Sequence, residues 1–278
     1  MSNILKKLAI FLGFAPPLVC AYPAYDFVTE NGSQLHLVGS IHMGTREMAP
    51  FSADLLKRLK KADALIVEVD ISKPVSFETP DNLPDISQRL TTEEYQQLIQ
   101  RLDELGLDID TIATKPGWHA ALVLQATQAN IAGLKSEYGI DYQVLQAANK
   151  AAVPIIELEG ADKQIALLQQ IPDNGIPLLK DSLEHWQDND RLLKIMVKWW
   201  LSQRPIERNL TLPYGMSGDL YQLMIANRNR LWATQLQALP KGNYVVVVGA
   251  LHLFGESNLL ELLKENQATT RYDNGIIQ

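Results

Sequence analysis

The chain has 278 residues, enough for one large domain or two modest ones, and its 46% hydrophobic and 21% charged residues are typical of a globular protein. Its net charge of −7 argues against a nucleic-acid partner, because phosphate contacts need clustered Lys and Arg and the sequence has no basic stripe.

The first 21 residues predict a signal peptide that is removed from the mature protein. Two lysines near the start precede a short apolar stretch, and Val19 and Ala21 suit the small-residue positions of a cleavage site before Tyr22. We therefore expect an exported, periplasmic protein whose residues 22–278 form a single domain. The alternative is an uncleaved signal that anchors the chain in the inner membrane, although two prolines interrupt the short apolar stretch. The only cysteine, Cys20, lies in this segment, so the mature protein would have no thiol nucleophile, disulfide or Cys-ligated zinc.

The beginning of the mature chain predicts a strand, a helix and a second strand. Residues 34–40 and 62–70 contain the apolar runs of buried strands. Residues 50–62, between them, have the apolar face of a helix, with Ser52 as its N-cap. Such a strand–helix–strand unit implies parallel strands and a right-handed crossover.

The rest of the chain alternates long helical patterns with two more apolar strands. A capping box from Thr91 to Glu94 marks the start of one helix, and Asp141 is the natural N-cap of another. The predicted elements are a loop at 73–87, helices at 91–106, 116–134 and 141–152, a strand at 153–160, helical structure at 161–215, a helix at 217–239, a strand at 243–252 and a helix at 257–266. The pattern predicts an α/β fold with a mostly parallel central sheet, built from two pseudo-repeated βαβ halves, and a helical middle section.

Two of the predicted strands end in the same motif, Gly-x-x-His. Gly39 and His42 end the first strand, and Gly249 and His252 end the last. Glycine permits a tight turn at a strand end, and a neutral imidazole three residues later can offer a nitrogen to a metal ion. The alternative is a pair of loop histidines that make ordinary hydrogen bonds.

Strand glutamates are the other candidate site residues. Glu68 lies in an apolar run, where a carboxylate is rare unless it is paired or binds a metal, so we expect a ligand, a general base or a simple salt bridge. Glu157 and Glu159 alternate on one face of the third strand, and composition does not say which is functional. Ligands bind at the carboxyl edge of parallel sheets, so Glu68, Glu159 and the two motif histidines are expected to share one cleft.

The remaining polar candidates have structural interpretations. We expect Asp70 and Asp141 to be caps, His36 and His119 to be packed, His185 to be solvated, and Arg228 and Asn229 to lie either at the surface or near the site. The motifs G-x-S-x-G, H-E-x-x-H and G-x-G-x-x-G do not occur in the sequence. The serine hydrolase, zincin and dinucleotide-binding classes therefore have no support.

Several stretches of the sequence together resemble the TraB/GumN family, most closely its enterobacterial branch, over nearly the whole mature chain. They are "LVGSIHMG" and "ADALIVEVD" in the first half, and "YGIDYQVLQAA", "VPIIELEGADKQIALL", "RNRLWATQL" and "VVVVGALHLFGESNLLELL" in the second. That family is similar to the Tiki metalloproteases, which cleave Wnt, and to the erythromycin-esterase and haem-binding ChaN proteins. The resemblance therefore implies an EreA/ChaN-like fold.

The resemblance also implies a metal-dependent site. By analogy with the Tiki branch, His42, His252 and Glu68 match the metal-dependent site, and Glu159 matches the family's second-half glutamate. His42 and His252 would hold a divalent ion such as Mn²⁺, Co²⁺ or Zn²⁺, with Glu68 or Glu159 as the further ligand. The ion would activate a water molecule, and the glutamate that is not a ligand would act as general base.

The resemblance also bears on the roles of three more residues. Arg228 and Asn229 match the family's Arg-Asn pair and would stabilise the oxyanion or a substrate carboxylate. Gly160 departs from the family, which often has a hydroxyl residue after the second-half glutamate. Any role for that hydroxyl is therefore missing from this chain.

The sequence thus predicts an exported metal-dependent hydrolase, a peptidase that acts on a peptide or small-molecule substrate. The alternative is a non-catalytic protein that sequesters a peptide or haem in the same cleft, with a histidine as the axial ligand. The substrate, the metal and the oligomeric state are left open by the sequence.

Overall fold

A computed structural model describes residues 22–74, 83–202 and 218–275 of the chain. The predicted signal peptide at 1–21, part of the predicted loop at 73–87, and residues 203–217, which include the predicted proline linker, lie outside the described residues.

One mixed sheet contains the strands of the described residues. They are β1 (Ala24–Val28), β2 (Gln34–Ser40), β3 (Ala64–Val67), β4 (Ile155–Glu157) and β5 (Asn243–Gly249). Their order in the sheet is β1-β2-β5-β3-β4, and only the pairing of β1 with β2 is antiparallel. The α/β fold with a mostly parallel sheet is therefore confirmed. The sequence patterns predict β2 to β5 but not β1, an edge strand in which only Phe27 is buried.

Helices surround the sheet and fill the middle of the chain. The α-helices are α1 (Ala53–Leu59), α2 (Ile86–Arg89), α3 (Thr92–Leu105), α4 (Gly117–Ile131), α5 (Ile140–Lys150), α6 (Ala161–Gln170), α7 (Pro172–Glu184), α8 (Trp186–Ser202), α9 (Gly218–Tyr221), α10 (Asn227–Gln237) and α11 (Leu259–Gly275). Short 3₁₀ turns cover Arg46–Met48, Ile109–Thr111, Ser136–Tyr138 and Ala250–His252, and a π-helical turn, Gln222–Ala226, joins α9 to α10. No helix in the described part of the chain is both long enough and apolar enough to span a membrane.

Local sequence signals explain several helix ends. The capping box predicted for α3 is present, because the Thr91 hydroxyl accepts from the Glu94 amide and the Glu94 carboxylate accepts from the Thr91 amide. Ser52 caps α1 by accepting from the Leu55 amide at 3.2 Å. The cap predicted at Asp141 is wrong: α5 begins one residue earlier, with Gly139 as its N-cap, and Asp141 lies in the first turn.

The sheet is covered on both faces, which explains the near-continuous apolar runs of β2 and β5. Alternate residues of each strand point to opposite faces. One face packs against α10 and α11 through Leu37, Val246 and Trp232, among others. The other face packs against α1 and α5 through residues such as Val38 and Val247. A third apolar cluster joins α2, α3, α4 and α7 in the helical middle section.

Candidate functional site

The predicted site residues follow the carboxyl ends of neighbouring parallel strands. Glu68 comes directly after β3, and Glu159 lies two residues beyond β4. Gly249 ends β5, and its amide donates to Glu68 Oε1 at 2.6 Å. A Cβ at position 249 would lie 3.3 Å from the same oxygen, so glycine lets the backbone approach the carboxylate. His252 ends the 3₁₀ turn that follows β5.

Arg228 binds both glutamates from the first turn of α10. Its Nε and Nη2 atoms donate to the two oxygens of Glu159, each at 2.9 Å, and Nη2 also donates to Glu68 Oε2 at 2.6 Å. Its Nη1 atom donates to the Met224 carbonyl at 2.9 Å and lies 3.3 Å from His252 Nε2. A guanidinium has five N–H groups, so every donor of Arg228 has a partner. The surface alternative for Arg228 is wrong, because the residue is only 9% exposed.

The hydrogen bonds around His252 fix its tautomer. Asn229 donates through Nδ2 to the Ser257 carbonyl at 2.9 Å, so its Oδ1 atom is the acceptor that faces His252 Nδ1 at 2.7 Å. His252 therefore carries its proton on Nδ1 and presents the Nε2 lone pair to Arg228. Burial lowers the pKa of His252 to about 4, so the imidazole is neutral at pH 7. Asn229 is fully buried, which rules out its surface alternative.

The partners of Glu68 favour its ionised form. Burial acts to raise the pKa of Glu68, but the surrounding positive charge, that of Arg228 included, and the Gly249 amide outweigh it and hold the pKa below its usual range. Gln164 also donates to Glu68 Oε2, at 3.2 Å. Glu159 accepts from Trp232 Nε1 at 3.1 Å, and the guanidinium of Arg228 lies 4.6 Å from the centre of the Trp232 ring.

Glu157 and Glu159 have different hydrogen-bond partners, which distinguishes their roles. Glu157 accepts from the Asp70 amide at 2.7 Å and from Lys73 Nζ at 2.8 Å, away from Arg228. Asp70 in turn accepts from the Ser72 amide and hydroxyl, as expected of a loop cap. Of the two alternating glutamates, Glu159 is therefore the one that joins the cluster.

His42 is exposed to solvent and is paired with Asp141. Its side chain is 70% exposed, and its Nδ1 atom lies 3.0 Å from Asp141 Oδ2. Asp141 Oδ1 accepts from the Ser40 hydroxyl at 2.7 Å. The Asp141 carboxylate raises the pKa of His42 to about 9. Glu68 raises the pKa of His42 further and Arg228 lowers it, so the exposed pair lies within electrostatic range of the buried cluster.

The segment that carries Asp141 packs closely on the loop after β2. The Ile140 amide donates to the Ile41 carbonyl at 3.0 Å. A Cβ at Gly139 would lie 2.1 Å from the His42 carbonyl oxygen, so only glycine fits there. The sequence does not reveal the pairing of Asp141 with His42, although Asp141 stands in the "YGID" stretch on which the family resemblance rests.

The donor atoms have the chemistry of a metal site but not its arrangement. His252 Nε2 and Glu68 Oε1 lie 3.8 Å apart, yet Arg228 Nη1 lies 3.3 Å from the same nitrogen. In the described ranges, no group of three or more His, Cys, Asp or Glu side chains is placed to hold a metal ion. As arranged, the predicted ligands His42, His252, Glu68 and Glu159 do not fit a resident ion.

The other histidines lie outside this site. His36 is buried and contacts Asp26 Oδ1 and the Tyr22 hydroxyl, at 2.7 and 2.8 Å. His119 packs edge-on against Trp118. His185 is partly buried, with 21% of its side chain exposed, rather than fully solvated.

Comparisons with known proteins agree with the resemblance seen in the sequence. Residues 27–271 match the TraB/PrgY/gumN family model. Two curated relatives, each named "Uncharacterized protein YbaP", come from Escherichia coli (strain K12) and Shigella flexneri. Each is 49% identical to this chain over 247 residues, which covers 87% of the chain and 92% of the relative. No solved structure matches the chain.

Proposed function

Because this chain belongs to the TraB/PrgY/gumN family, we propose that it is an exported hydrolase that cleaves peptide bonds at the carboxyl edge of its sheet. One observation carries the proposal: an exposed histidine, His42, is backed by a buried carboxylate and interacts electrostatically with a buried network of opposite charges. An acid–base group that is accessible on one side and oriented from the other is a recurrent feature of hydrolytic sites.

His42 is the acid–base group in this proposal. Asp141 holds the Nδ1 side of the ring, so Nε2 can face a substrate. A water molecule first adds to the carbonyl carbon and gives a tetrahedral intermediate. With a pKa of about 9, the imidazolium of His42 is protonated at pH 7 and can protonate the amine nitrogen as the C–N bond of that intermediate breaks. The neutral ring that remains can then take the proton that the added water oxygen releases as the carboxyl product forms.

Arg228 and Asn229 support the site rather than contact the substrate. The donors of Arg228 are used by Glu68, Glu159, Met224 and His252. The predicted contact of Arg228 with an oxyanion would therefore require it to leave these partners. In the present arrangement it fixes the two glutamates and supplies a buried positive charge, while Asn229 fixes His252.

The metal-dependent form of the hydrolysis stays a prediction. A bound divalent ion would supply a water molecule of lowered pKa. As arranged, the donors do not fit such an ion, and no step of the proposed mechanism depends on one.

A peptide-library cleavage assay with the purified mature chain tests the proposal. We expect cleavage by the wild type and a loss of about 10²- to 10⁴-fold in His42→Ala, the usual contribution of an acid–base group. His185→Ala is the matched control and should cleave like the wild type. Parallel assays with EDTA test the metal-dependent form. Equal rates for the wild type and His42→Ala, or no cleavage of any peptide, would overturn the proposed hydrolysis.

The free Nε2 side of His42 also favours a second candidate function, sequestration of haem or a peptide without turnover. An imidazole whose Nδ1 is held by a carboxylate is typical of metal-ligating histidines. A Soret band on addition of haem to the wild type, absent in His42→Ala, would support this second function.

A further inference from the structure

We propose that Arg228 is the fixed cation of this site: its guanidinium occupies the position among Glu68, Glu159 and His252 that a divalent ion would need. The resting protein then carries no metal there, and a metal site forms only when Arg228 is replaced. This inference is independent of the proposed hydrolysis, because its readout is metal binding.

The charges of the buried cluster require a cation. The Glu68 and Glu159 side chains are 9% and 3% exposed, and the neutral His252 adds no charge. Two buried carboxylates in one place are unstable unless positive charge lies between them. The Arg228 side chain, 10% exposed, supplies that charge through ion pairs of 2.6 and 2.9 Å.

The hydrogen bonds of Arg228 hold it in that position. Both oxygens of Glu159 accept from it in a fork geometry, which orients a guanidinium more strictly than a single contact does. The Met224 carbonyl belongs to the π-helical turn before α10 and accepts from Nη1. The side chain is thus held from the sheet by Glu159 and from its own helix by Met224.

The distances exclude simultaneous occupation by Arg228 and a metal ion. Zinc lies about 2.0–2.1 Å from a ligating imidazole nitrogen. Arg228 Nη1 already lies 3.3 Å from His252 Nε2 in hydrogen-bonding geometry. An ion on the Nε2 lone pair would therefore lie well inside contact distance of Nη1, and binding would require the guanidinium to leave.

Zinc and cobalt titrations of the purified mature chain test this inference. The wild type should bind no stoichiometric ion. Arg228→Met should bind one ion per chain, because the unpaired carboxylates and the Nε2 atom of His252 become available as ligands. Arg228→Met combined with His252→Ala should lose that gain. Arg230→Met is the matched control: Arg230 lies on the same helix and its side chain donates to the exposed side-chain amides of Gln222 and Asn227, so this variant should behave like the wild type.

Metal content and circular dichroism of the same samples complete the test. A wild type that holds one ion per chain, lost in His252→Ala, would overturn the inference. So would a folded Arg228→Met that binds no more tightly than the wild type. If Arg228→Met does not fold, the metal content of the wild type alone tests the inference. Stoichiometric metal binding by the wild type contradicts the inference, and its absence supports it.

Discussion

The two Gly-x-x-His motifs place their histidines in opposite protonation states. Each imidazole is held at Nδ1 by a neighbour, which is the carboxylate of Asp141 for His42 and the amide of Asn229 for His252. The carboxylate favours the charged ring of His42, while burial beside a neutral amide favours the uncharged ring of His252. One sequence motif thus provides an exposed acid and a buried lone pair, and the difference comes from residues outside the motif.

The partner of His42 can be tested at the level of a single residue. Asp141→Asn should lower the pKa of His42 from about 9 towards its ordinary value of about 6.5, because the amide carries no charge. In the wild type, the His42–Asp141 pair makes its full contribution to the free energy of unfolding below about pH 6.5. That contribution is lost as the pH rises through about 9, where His42 loses its proton. NMR titration of the imidazole measures the pKa directly. Ser40→Ala removes only a hydroxyl from Asp141 and should shift the titration far less; an unchanged pKa in Asp141→Asn would contradict this account.

For single residues, the sequence predicts which side chains belong to the candidate site better than it predicts which side chains they contact. The strand glutamate Glu68 was recognisable because it interrupts an apolar run. Asp141 was not, because an aspartate at the start of a helix reads as a cap whether or not it pairs with a distant residue. Glu157 and Glu159 were indistinguishable for a similar reason, since their roles depend on which neighbouring element faces each side chain.

At the scale of elements, the junction between α5 and the loop after β2 sets the position of His42. Gly139→Ala should destabilise the fold by about 1–3 kcal/mol, because a Cβ would lie 2.1 Å from the His42 carbonyl oxygen and the two segments would have to separate. The separation should also lower the pKa of His42 by moving Asp141 away. Urea unfolding and NMR titration measure the two effects.

Gly133→Ala is the control for that prediction. Gly133 has a φ of 85° and open space around its Cβ position, so the substitution should cost about 1–2 kcal/mol of backbone strain without changing the pKa of His42. Equal titration curves for Gly139→Ala and the wild type would show that the junction does not position the pair.

The elements themselves were largely predictable. The apolar runs of β2 and β5 and the capping box of α3 are local signals, and the structure confirms them. β1 was missed because its burial depends on pairing with β2 at the sheet edge, which its own sequence does not show. The helix predicted at 257–266 extends in the structure to Gly275, since nothing local marks its end.

For the whole molecule, export remains a prediction that the start of the mature chain can test. We expect protein from the cell envelope to begin at Tyr22, following the cleavage site after Ala21. Tyr22 is 2% exposed and stacks on Trp200, whose indole donates to the Gly39 carbonyl at 3.1 Å, so Trp200 connects the predicted new terminus to the first motif. N-terminal sequencing provides the measurement, and an intact Met1 in cytoplasmic protein would contradict it.

The strand order has a consequence for how the chain acquires its structure. β5, the last of these strands to be synthesised, lies between β2 and β3 in the sheet. The local sequence of a strand does not show that it pairs with another strand about two hundred residues away. At about 5–20 residues per second, the stretch between β2 and β5 takes roughly 10–40 s to make. Until then β2 and β3 lack their shared neighbour, so we expect the sheet of the nascent chain to form only after β5 has been made. The sheet cannot be completed before its last strand has been synthesised. A chain in that state is still unfolded enough to pass through a translocation channel.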